Sequence, residues 1–169
     1  MYRLIKQYTD ETPVSAYLIQ DLYQKFMGKP LNFLFYSGLK DILELKDLLP
    51  ATLLLYEPTS AKVGHFICFL ETPIGPEVFD PLSLGLDREA GNGPKYLTNL
   101  IRKSPIKVIY NPRDLQSYNT DTCGMWCTCR LLSPDMTYKT FDNFFLRYSK
   151  NERDPLVAKI FNTLVNIVR

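Results

Sequence analysis

Two apolar segments joined by a tight turn lie in the middle of the sequence and constrain its fold most. "GHFICFLET" (64–72) and "PEVFDPL" (76–82) are rich in aromatic and aliphatic residues, and Pro-Ile-Gly separates them. Such a pattern around Pro and Gly predicts two antiparallel strands. Further strands are predicted for "TLLLYEP" (52–58) and "IKVIYNP" (106–112). The centre of the chain therefore indicates a β-sheet.

Helical patterns flank these strands on both sides. "VSAYLIQDLYQKFM" (14–27) carries apolar residues at helical spacing and ends at Gly28, and a second short helix is predicted for 38–49, closed by Pro50. The later helices are predicted within 91–104, 123–132, 138–148 and 154–169, the last starting at Asp154–Pro155. Helices, then strands, then helices predict an α+β fold with a central, mainly antiparallel sheet flanked by helices.

The bulk composition predicts one ordinary globular domain, residues 1–169. Hydrophobic residues make up 46% and charged residues 22%. We find no apolar run long enough to span a membrane, and "MYRLIKQYTDETP" is too polar for a signal peptide. We therefore expect a protein that is not secreted, has no membrane partner and works in a reducing compartment.

The net charge of +2 is too small to indicate nucleic-acid binding by itself, because acids and bases are interleaved. Five basic residues near the C-terminus could still form a locally basic face, although an ordinary solvated helix face is the simpler explanation. They are Arg147, Lys150, Arg153, Lys159 and Arg169.

Three of the four cysteines lie in "LQSYNTDTCGMWCTC" (115–129). A structural zinc site usually has two close pairs of ligands. On a helix Cys123 and Cys127 would share a face and Cys129 would point elsewhere, so the spacing does not favour zinc and no metal is expected. A disulfide between Cys123 and Cys127 would be strained on a helix. Core packing suits Cys68, Cys127 and Cys129.

Cys123 differs from the other three cysteines because it stands where a polar loop meets an apolar helix. A thiol at a helix N-terminus experiences the positive end of the helix dipole, which favours the thiolate. The unpaired backbone N–H groups there can stabilise an oxyanion beside the sulfur. Gly124, the next residue, would let a substrate backbone approach closely. Cys123 is therefore the candidate nucleophile.

A thiol nucleophile needs a base, and His65 is the only histidine in the chain. A lone histidine is more often a packed or surface residue, but His65 follows Gly64 at the start of a predicted strand. Asp80 lies in the next strand of the hairpin, where it could orient the imidazole; alone it would be a turn residue before a proline. Gln116 precedes Cys123 in the polar loop and could supply a second oxyanion donor.

The joint order of these residues resembles the adenovirus maturation protease (adenain) family. The likeness covers residues 63–131 and rests on Gly64, His65, Phe66, Phe79, Asp80, Pro81, Gly85, Gln116, Cys123, Gly124, Met125, Trp126 and Cys127. SUMO-specific (Ulp1-like) proteases and capsid proteases of large DNA viruses belong to the same clan. The compact length is similar to that of proteases encoded by virophages and by Maverick/Polinton elements.

The resemblance implies a papain-like, adenain-like cysteine protease fold with the nucleophile at the start of a buried helix. It implies an endopeptidase that cleaves capsid and other structural precursors during virion maturation, in the virion and the viral factory of the host cytoplasm. The implied roles are Cys123 as nucleophile, His65 as proton shuttle, Asp80 as its orienting acid, and Gln116 in the oxyanion hole. A narrow cleft bordered by Gly64, Gly124 and Trp126 would bind substrate. No cofactor is expected.

Some features stay open at the level of sequence. The family usually has Trp after the catalytic histidine, and this chain has Phe66. An activating peptide or DNA is implied by the resemblance alone, and a monomer is expected. A deubiquitinase or deSUMOylase acting on host modifiers would use the same chemistry. An inactive protease fold serving as a capsid-binding scaffold is the alternative outside enzymology.

Overall fold

The computed structural model describes residues 7–9, 13–58 and 64–169. In the described part of the chain, five strands form one sheet in the order of the sequence. They are β1 (Asn32–Phe35), β2 (Ala51–Tyr56), β3 (His65–Thr72), β4 (Gly75–Phe79) and β5 (Ile109–Tyr110). The three central strands pair antiparallel, whereas β1 pairs with β2 and β4 with β5 in parallel. The protein is an α+β fold with a mixed sheet, flanked by helices.

The expectation of a mainly antiparallel sheet thus holds only for the centre. The two outer pairings are parallel because the chain crosses over between their strands instead of turning back directly. Short 3-10 turns connect β1 to β2, and a segment that contains a helix connects β4 to β5.

Helices at the N-terminal side, between strands and after the sheet complete the fold. They are α1 (Ala16–Met27), α2 (Tyr96–Lys103), α3 (Cys123–Leu131), α4 (Tyr138–Phe145) and α5 (Lys150–Ile167). Helix α1 follows its sequence signals, because Ser15 accepts a hydrogen bond from the Leu18 N–H and Gly28 ends the helix with φ of 70°. In the part of the chain that is described, no helix is long and apolar enough to cross a membrane.

The second predicted helix, 38–49, is wrong. Two 3-10 helices, Tyr36–Asp41 and Leu45–Leu48, occupy this region. In each of them the buried residues are three apart, which is the period of a 3-10 helix: Tyr36 and Leu39 in the first, Leu45 and Leu48 in the second.

Two other boundaries differ from the prediction. The strand expected over 106–112 is reduced to the two residues of β5. Helix α5 begins at Lys150 and not at Asp154, because Ser149 and Glu152 form a capping box that satisfies the first N–H groups. Pro155 lies inside this helix.

The basic residues predicted as a possible face are partly engaged by neighbours. Lys150 forms an ion pair with Asp114, and Arg153 Nε donates to the Tyr148 carbonyl at 3.1 Å. The guanidinium of Arg147 lies over the Phe144 ring, 5.7 Å from its centroid. These contacts fit an ordinary solvated helix surface.

Both faces of the sheet are buried. On β3, Phe66, Cys68 and Leu70 face the core shared with α1, α3 and α5, whereas Ile67 and Phe69 face the core shared with α2 and the 3-10 turns. Apart from its first residue, every residue of α3 is buried. The helix that begins with the candidate nucleophile is therefore fixed on all sides.

A buried ion pair ties α3 to β4. Arg130 donates from Nε and Nη2 to the two carboxylate oxygens of Glu77, at 3.0 and 2.8 Å, and both side chains have 0% exposure. Arg130 also donates to the carbonyls of Ser133 (2.6 Å) and Met136 (3.0 Å). This two-pronged geometry fixes α3 relative to the strand that leads to Asp80.

Candidate active site

Cys123 is the first residue of α3 and is partly exposed, whereas the other three free cysteines are buried. Burial raises the pKa of the Cys129 thiol to about 12 and that of Cys127 well above its usual value. These two thiols are therefore protonated and unreactive near neutral pH. Among the described residues, no group of three His, Cys, Asp or Glu side chains could hold a metal ion.

The imidazole of His65 lies between an acid and the thiol. Its Nε2 is 2.8 Å from Asp80 Oδ1, and the Cys123 side chain lies near enough to raise the pKa of the imidazole. Because Asp80 takes Nε2, Nδ1 is the nitrogen left for the sulfur. The ring is 6% exposed. The structure thus brings Cys123, His65 and Asp80 into one cluster, as the sequence predicted.

The strand register explains why His65 and Asp80 meet. Cys68 pairs with Phe79 across β3 and β4, so one step further Asp80 stands level with Ile67, on the same face as His65. The two side chains are then diagonal neighbours at the end of the hairpin. A shift of one residue in register would send them to opposite faces.

The pKa of His65 is raised to about 10. Burial alone would lower it, but the hydrogen bonds and negative charges of Asp80 and Cys123 outweigh that effect. The ring is therefore protonated throughout the neutral range. A positively charged imidazole beside a thiol favours the thiolate, and the thiolate is the form of cysteine that attacks carbonyl carbon.

The carboxylate of Asp80 is held by four donors. Oδ1 accepts from His65 and from the Leu82 N–H (2.9 Å), and Oδ2 accepts from the Leu84 N–H (3.0 Å) and the Tyr110 hydroxyl (3.2 Å). Tyr110 in turn accepts from the Gly85 N–H at 2.6 Å. The turn after β4 therefore wraps around the carboxylate and leaves one lone pair of Oδ1 for the imidazole.

Asn111 fixes the backbone of Asp80 and was missed by the sequence analysis. Its Oδ1 accepts from the Asp80 N–H at 2.7 Å, and its Nδ2 donates to the Asp80 carbonyl at 2.7 Å. The side chain is fully buried. An Asn at the end of a predicted strand was the only available signal, and that signal is weak because Asn is common at such positions.

Gln116 lies buried in the loop before α3. Its backbone N–H donates to the Pro81 carbonyl at 3.0 Å, next to Asp80 in sequence, and its Nε2 donates to the Thr120 carbonyl at 2.9 Å. One hydrogen of the Nε2 amide remains for another acceptor. The side-chain Oε1 is buried, and no residue in the described part of the chain donates a hydrogen bond to it.

Asp154, on α5, is a second residue that the sequence analysis missed. Its Oδ1 accepts from Thr122 Oγ1 (2.5 Å) and Trp126 Nε1 (2.9 Å), and its Oδ2 accepts from the Ser117 N–H (2.9 Å). The Asp154–Pro155 pair suggested only a helix start, so nothing in the sequence linked this carboxylate to the cysteine.

The predicted substrate contacts of Trp126 and Gly124 are wrong. Trp126 has 0% exposure and its ring packs edge-on against Phe145, with centroids 4.5 Å apart. A Cβ on Gly124 would lie 3.2 Å from Ile19 Cδ1 and 3.3 Å from Val14 Cβ. Both residues are enclosed by protein because α1 and α5 pack against α3. The small size of Gly124 and the large ring of Trp126 therefore serve the packing of the core.

Gly64 is half-buried beside His65, and a Cβ there would lie 3.1 Å from Leu55 Cδ1 and 3.2 Å from the Tyr56 carbonyl. The glycine thus permits the close approach of β2 to the start of β3. Phe66, the residue after His65, is buried on the α3 side of the sheet. The ring that lies parallel to the imidazole is Tyr56, at a centroid distance of 6.5 Å and an angle of 15°.

In the candidate active site, the α+β scaffold places three groups beside one another: a thiol at a helix N-terminus, an imidazole and a carboxylate. Comparison with models of known protein families gives no match for this chain, and comparison with curated proteins gives none either. What the site can do therefore follows from its own geometry.

Proposed function

We propose that the chain is a cysteine endopeptidase of the adenovirus maturation protease type, acting on capsid and other structural precursor proteins during virion maturation. The observation that carries the proposal is the convergence of Cys123, His65 and Asp80 from three separate elements around one partly exposed sulfur. The substrate class rests on the order and spacing of the residues that resemble that family.

In the first step, the Cys123 thiolate attacks the scissile carbonyl carbon and a C–S bond forms. The His65 imidazolium then donates its proton to the leaving amine as the C–N bond breaks. Once the sulfur is acylated its negative charge is gone, so it no longer raises the pKa of His65. The neutral ring can next take a proton from water, which hydrolyses the thioester and frees the enzyme.

Negative charge on the carbonyl oxygen needs donors beside the sulfur. The backbone N–H of Cys123 belongs to the first turn of α3, where N–H groups have no partner within the helix. The remaining amide hydrogen of Gln116 is the second donor. Removing one such donor commonly lowers turnover by about 100- to 1000-fold.

Substitution of Cys123 tests the proposal directly. Cys123→Ala should abolish cleavage of co-expressed capsid precursors while leaving the free energy of unfolding nearly unchanged, because the thiol is at the edge of the core. Cys129→Ala, on the same helix but away from His65, is the matched control and should still cleave. If Cys123→Ala continues to process precursors, Cys123 is not the nucleophile.

Two further probes separate the alternative activities. Ubiquitin and SUMO carrying a C-terminal electrophile should leave the protein unlabelled, whereas labelling without precursor cleavage would favour an enzyme that removes host modifiers. An inactive scaffold should show no preferential alkylation of Cys123 by iodoacetamide near pH 6.

A further inference from the structure

The loop of residues 117–122 joins the two groups assigned to the oxyanion hole. Gln116 immediately precedes it and Cys123 immediately follows it, so its shape sets the distance between their donors. The loop has little regular structure, and Tyr118 within it is 67% exposed. Within the loop, Thr120 donates to the Ser117 carbonyl from its N–H (3.3 Å) and its hydroxyl (2.9 Å), but these bonds do not attach the ends of the loop to α5.

Asp154 holds both ends of this loop from outside. One carboxylate oxygen accepts from the Ser117 N–H at the start of the loop, and the other accepts from the Thr122 hydroxyl at its end. The second oxygen also accepts from Trp126 Nε1, one turn into α3. A single rigid group thus connects the loop start, the loop end and the helix that carries the nucleophile.

Asp154 lies in an environment where a carboxylate needs hydrogen bonds to offset its burial. The residue is 2% exposed, and no cationic side chain pairs with it within the described chain. Burying an unpaired carboxylate costs several kcal/mol unless hydrogen bonds compensate. Its three donors do so, and they all come from the loop and helix that border the thiol.

We propose that Asp154 is a positioning residue for the oxyanion hole. By fixing Ser117 and Thr122 it keeps the amide of Gln116 and the N–H of Cys123 aimed at one point. This inference rests on the proposed peptidase function. A displacement of donors by about 1 Å can cost about 100-fold in rate, so a modest loosening of the loop has a measurable effect.

Asp154→Asn is the test because it keeps the shape and loses an acceptor. The oxygen of the Asn amide can still accept hydrogen bonds, but its nitrogen replaces the other carboxylate oxygen and can only donate. Either the Ser117 N–H or the Thr122 and Trp126 donors therefore lose their acceptor. On a peptide that spans a mapped precursor cleavage site, kcat should fall about 10- to 100-fold with KM within about twofold.

Alkylation separates a positioning role from general damage. Iodoacetamide reacts at a tetrahedral carbon and forms no oxyanion, so it depends on the Cys123–His65 pair but not on the donors. In Asp154→Asn the rate of Cys123 alkylation at pH 7 should stay within about threefold of the wild-type rate. Fluorescence of Trp126, the only tryptophan, should change because its Nε1 partner changes.

The matched control is Asp142→Asn, another buried aspartate, on α4, that does not contact the loop. It should keep wild-type kcat. If Asp154→Asn folds poorly, Thr122→Val removes one donor to the same carboxylate and should lower kcat in the same direction, again with alkylation preserved.

The possible results are distinguishable. Wild-type kcat in both Asp154→Asn and Thr122→Val would overturn the positioning role while leaving the peptidase intact. A parallel fall in kcat and in alkylation would also overturn it, because the damage would then reach the thiol and imidazole. A wild-type protein that cleaves no precursor and shows no selective alkylation of Cys123 would overturn the peptidase proposal itself.

Discussion

Replacing Asp142 with Asn should stabilise the protein at neutral pH and have little effect in acid. Asp142 lies on α4 and is 4% exposed, and among the described residues no group donates a hydrogen bond to its Oδ1. Its pKa is raised to about 7, first by burial and then by the negative charge of Glu77, while Arg130 and Arg113 oppose the rise. The charged form is therefore poorly accommodated.

The size and sign of the effect follow from the pKa. The carboxyl of an unfolded chain titrates near 3.9, so the folded value is higher by roughly three pH units, which corresponds to about 4 kcal/mol. Between the two values the folded state holds a proton that the unfolded state releases. Stability therefore falls as pH rises from about 4 to about 7, and the full cost is present above that window.

The Asn side chain carries no charge at any pH and removes this cost. We expect Asp142→Asn to be more stable than the wild type by about 2–4 kcal/mol at pH 8, the lower figure allowing for an amide that is also incompletely hydrogen-bonded. The difference in the free energy of unfolding between Asp142→Asn and the wild type should shrink by up to about 1.4 kcal/mol per pH unit below pH 7 and vanish near pH 4.

Urea unfolding at half-unit steps from pH 4 to pH 8 measures this difference. Asp114→Asn is the control, because Asp114 is partly exposed and pairs with Lys150 at the surface, so its removal should change stability by less than about 1 kcal/mol. A difference for Asp142→Asn that does not vary with pH, or a less stable variant at pH 8, would refute the reasoning.

Three further outcomes follow from the site and its supports. Asp80→Asn removes one of the two groups, Asp80 and Cys123, that together raise the pKa of His65 to about 10 against the effect of burial, so the alkaline limb of a kcat/KM profile should move to lower pH; an unmoved limb would contradict this. Asn111→Ala leaves the Asp80 N–H and carbonyl without partners and should cost about 2–4 kcal/mol by urea unfolding, together with a fall in kcat; wild-type values for both would contradict its role. Arg130→Met should cost about 3–5 kcal/mol because Glu77 is left charged and buried, and adding Glu77→Leu should recover most of the loss in the same assay; no recovery would contradict the ion-pair argument.

The hairpin and the helices α1 and α3 were predictable because their signals are local. Aromatic and aliphatic residues on both sides of a Pro-Gly turn define β3 and β4, and Gly28 ends α1 as a left-handed residue. The meeting of His65 and Asp80 was predictable for the same reason, since a hairpin fixes its own register. The 3-10 turns were missed because a three-residue period over a short segment resembles a helix.

The supports of the site were not predictable because their contacts are distant in sequence. Asn111 contacts Asp80 across 31 positions, and Asp154 contacts Thr122 across 32. A single Asn or Asp carries no local mark of such a partner. Trp126 was misplaced for a related reason: whether a large ring lines a cleft or fills a core depends on α5 packing against α3, which no local pattern reveals.

The most direct measurement of the central claim is the rate of Cys123 alkylation by iodoacetamide at pH 6, followed by mass spectrometry and compared with free cysteine. Free cysteine is less than about 1% thiolate at that pH. The positive charge of His65 favours the thiolate form of Cys123, so Cys123 should react at least about tenfold faster than free cysteine. His65→Ala should abolish this difference in rate. A Cys123 that reacts no faster than free cysteine, or equally fast without His65, would contradict the account.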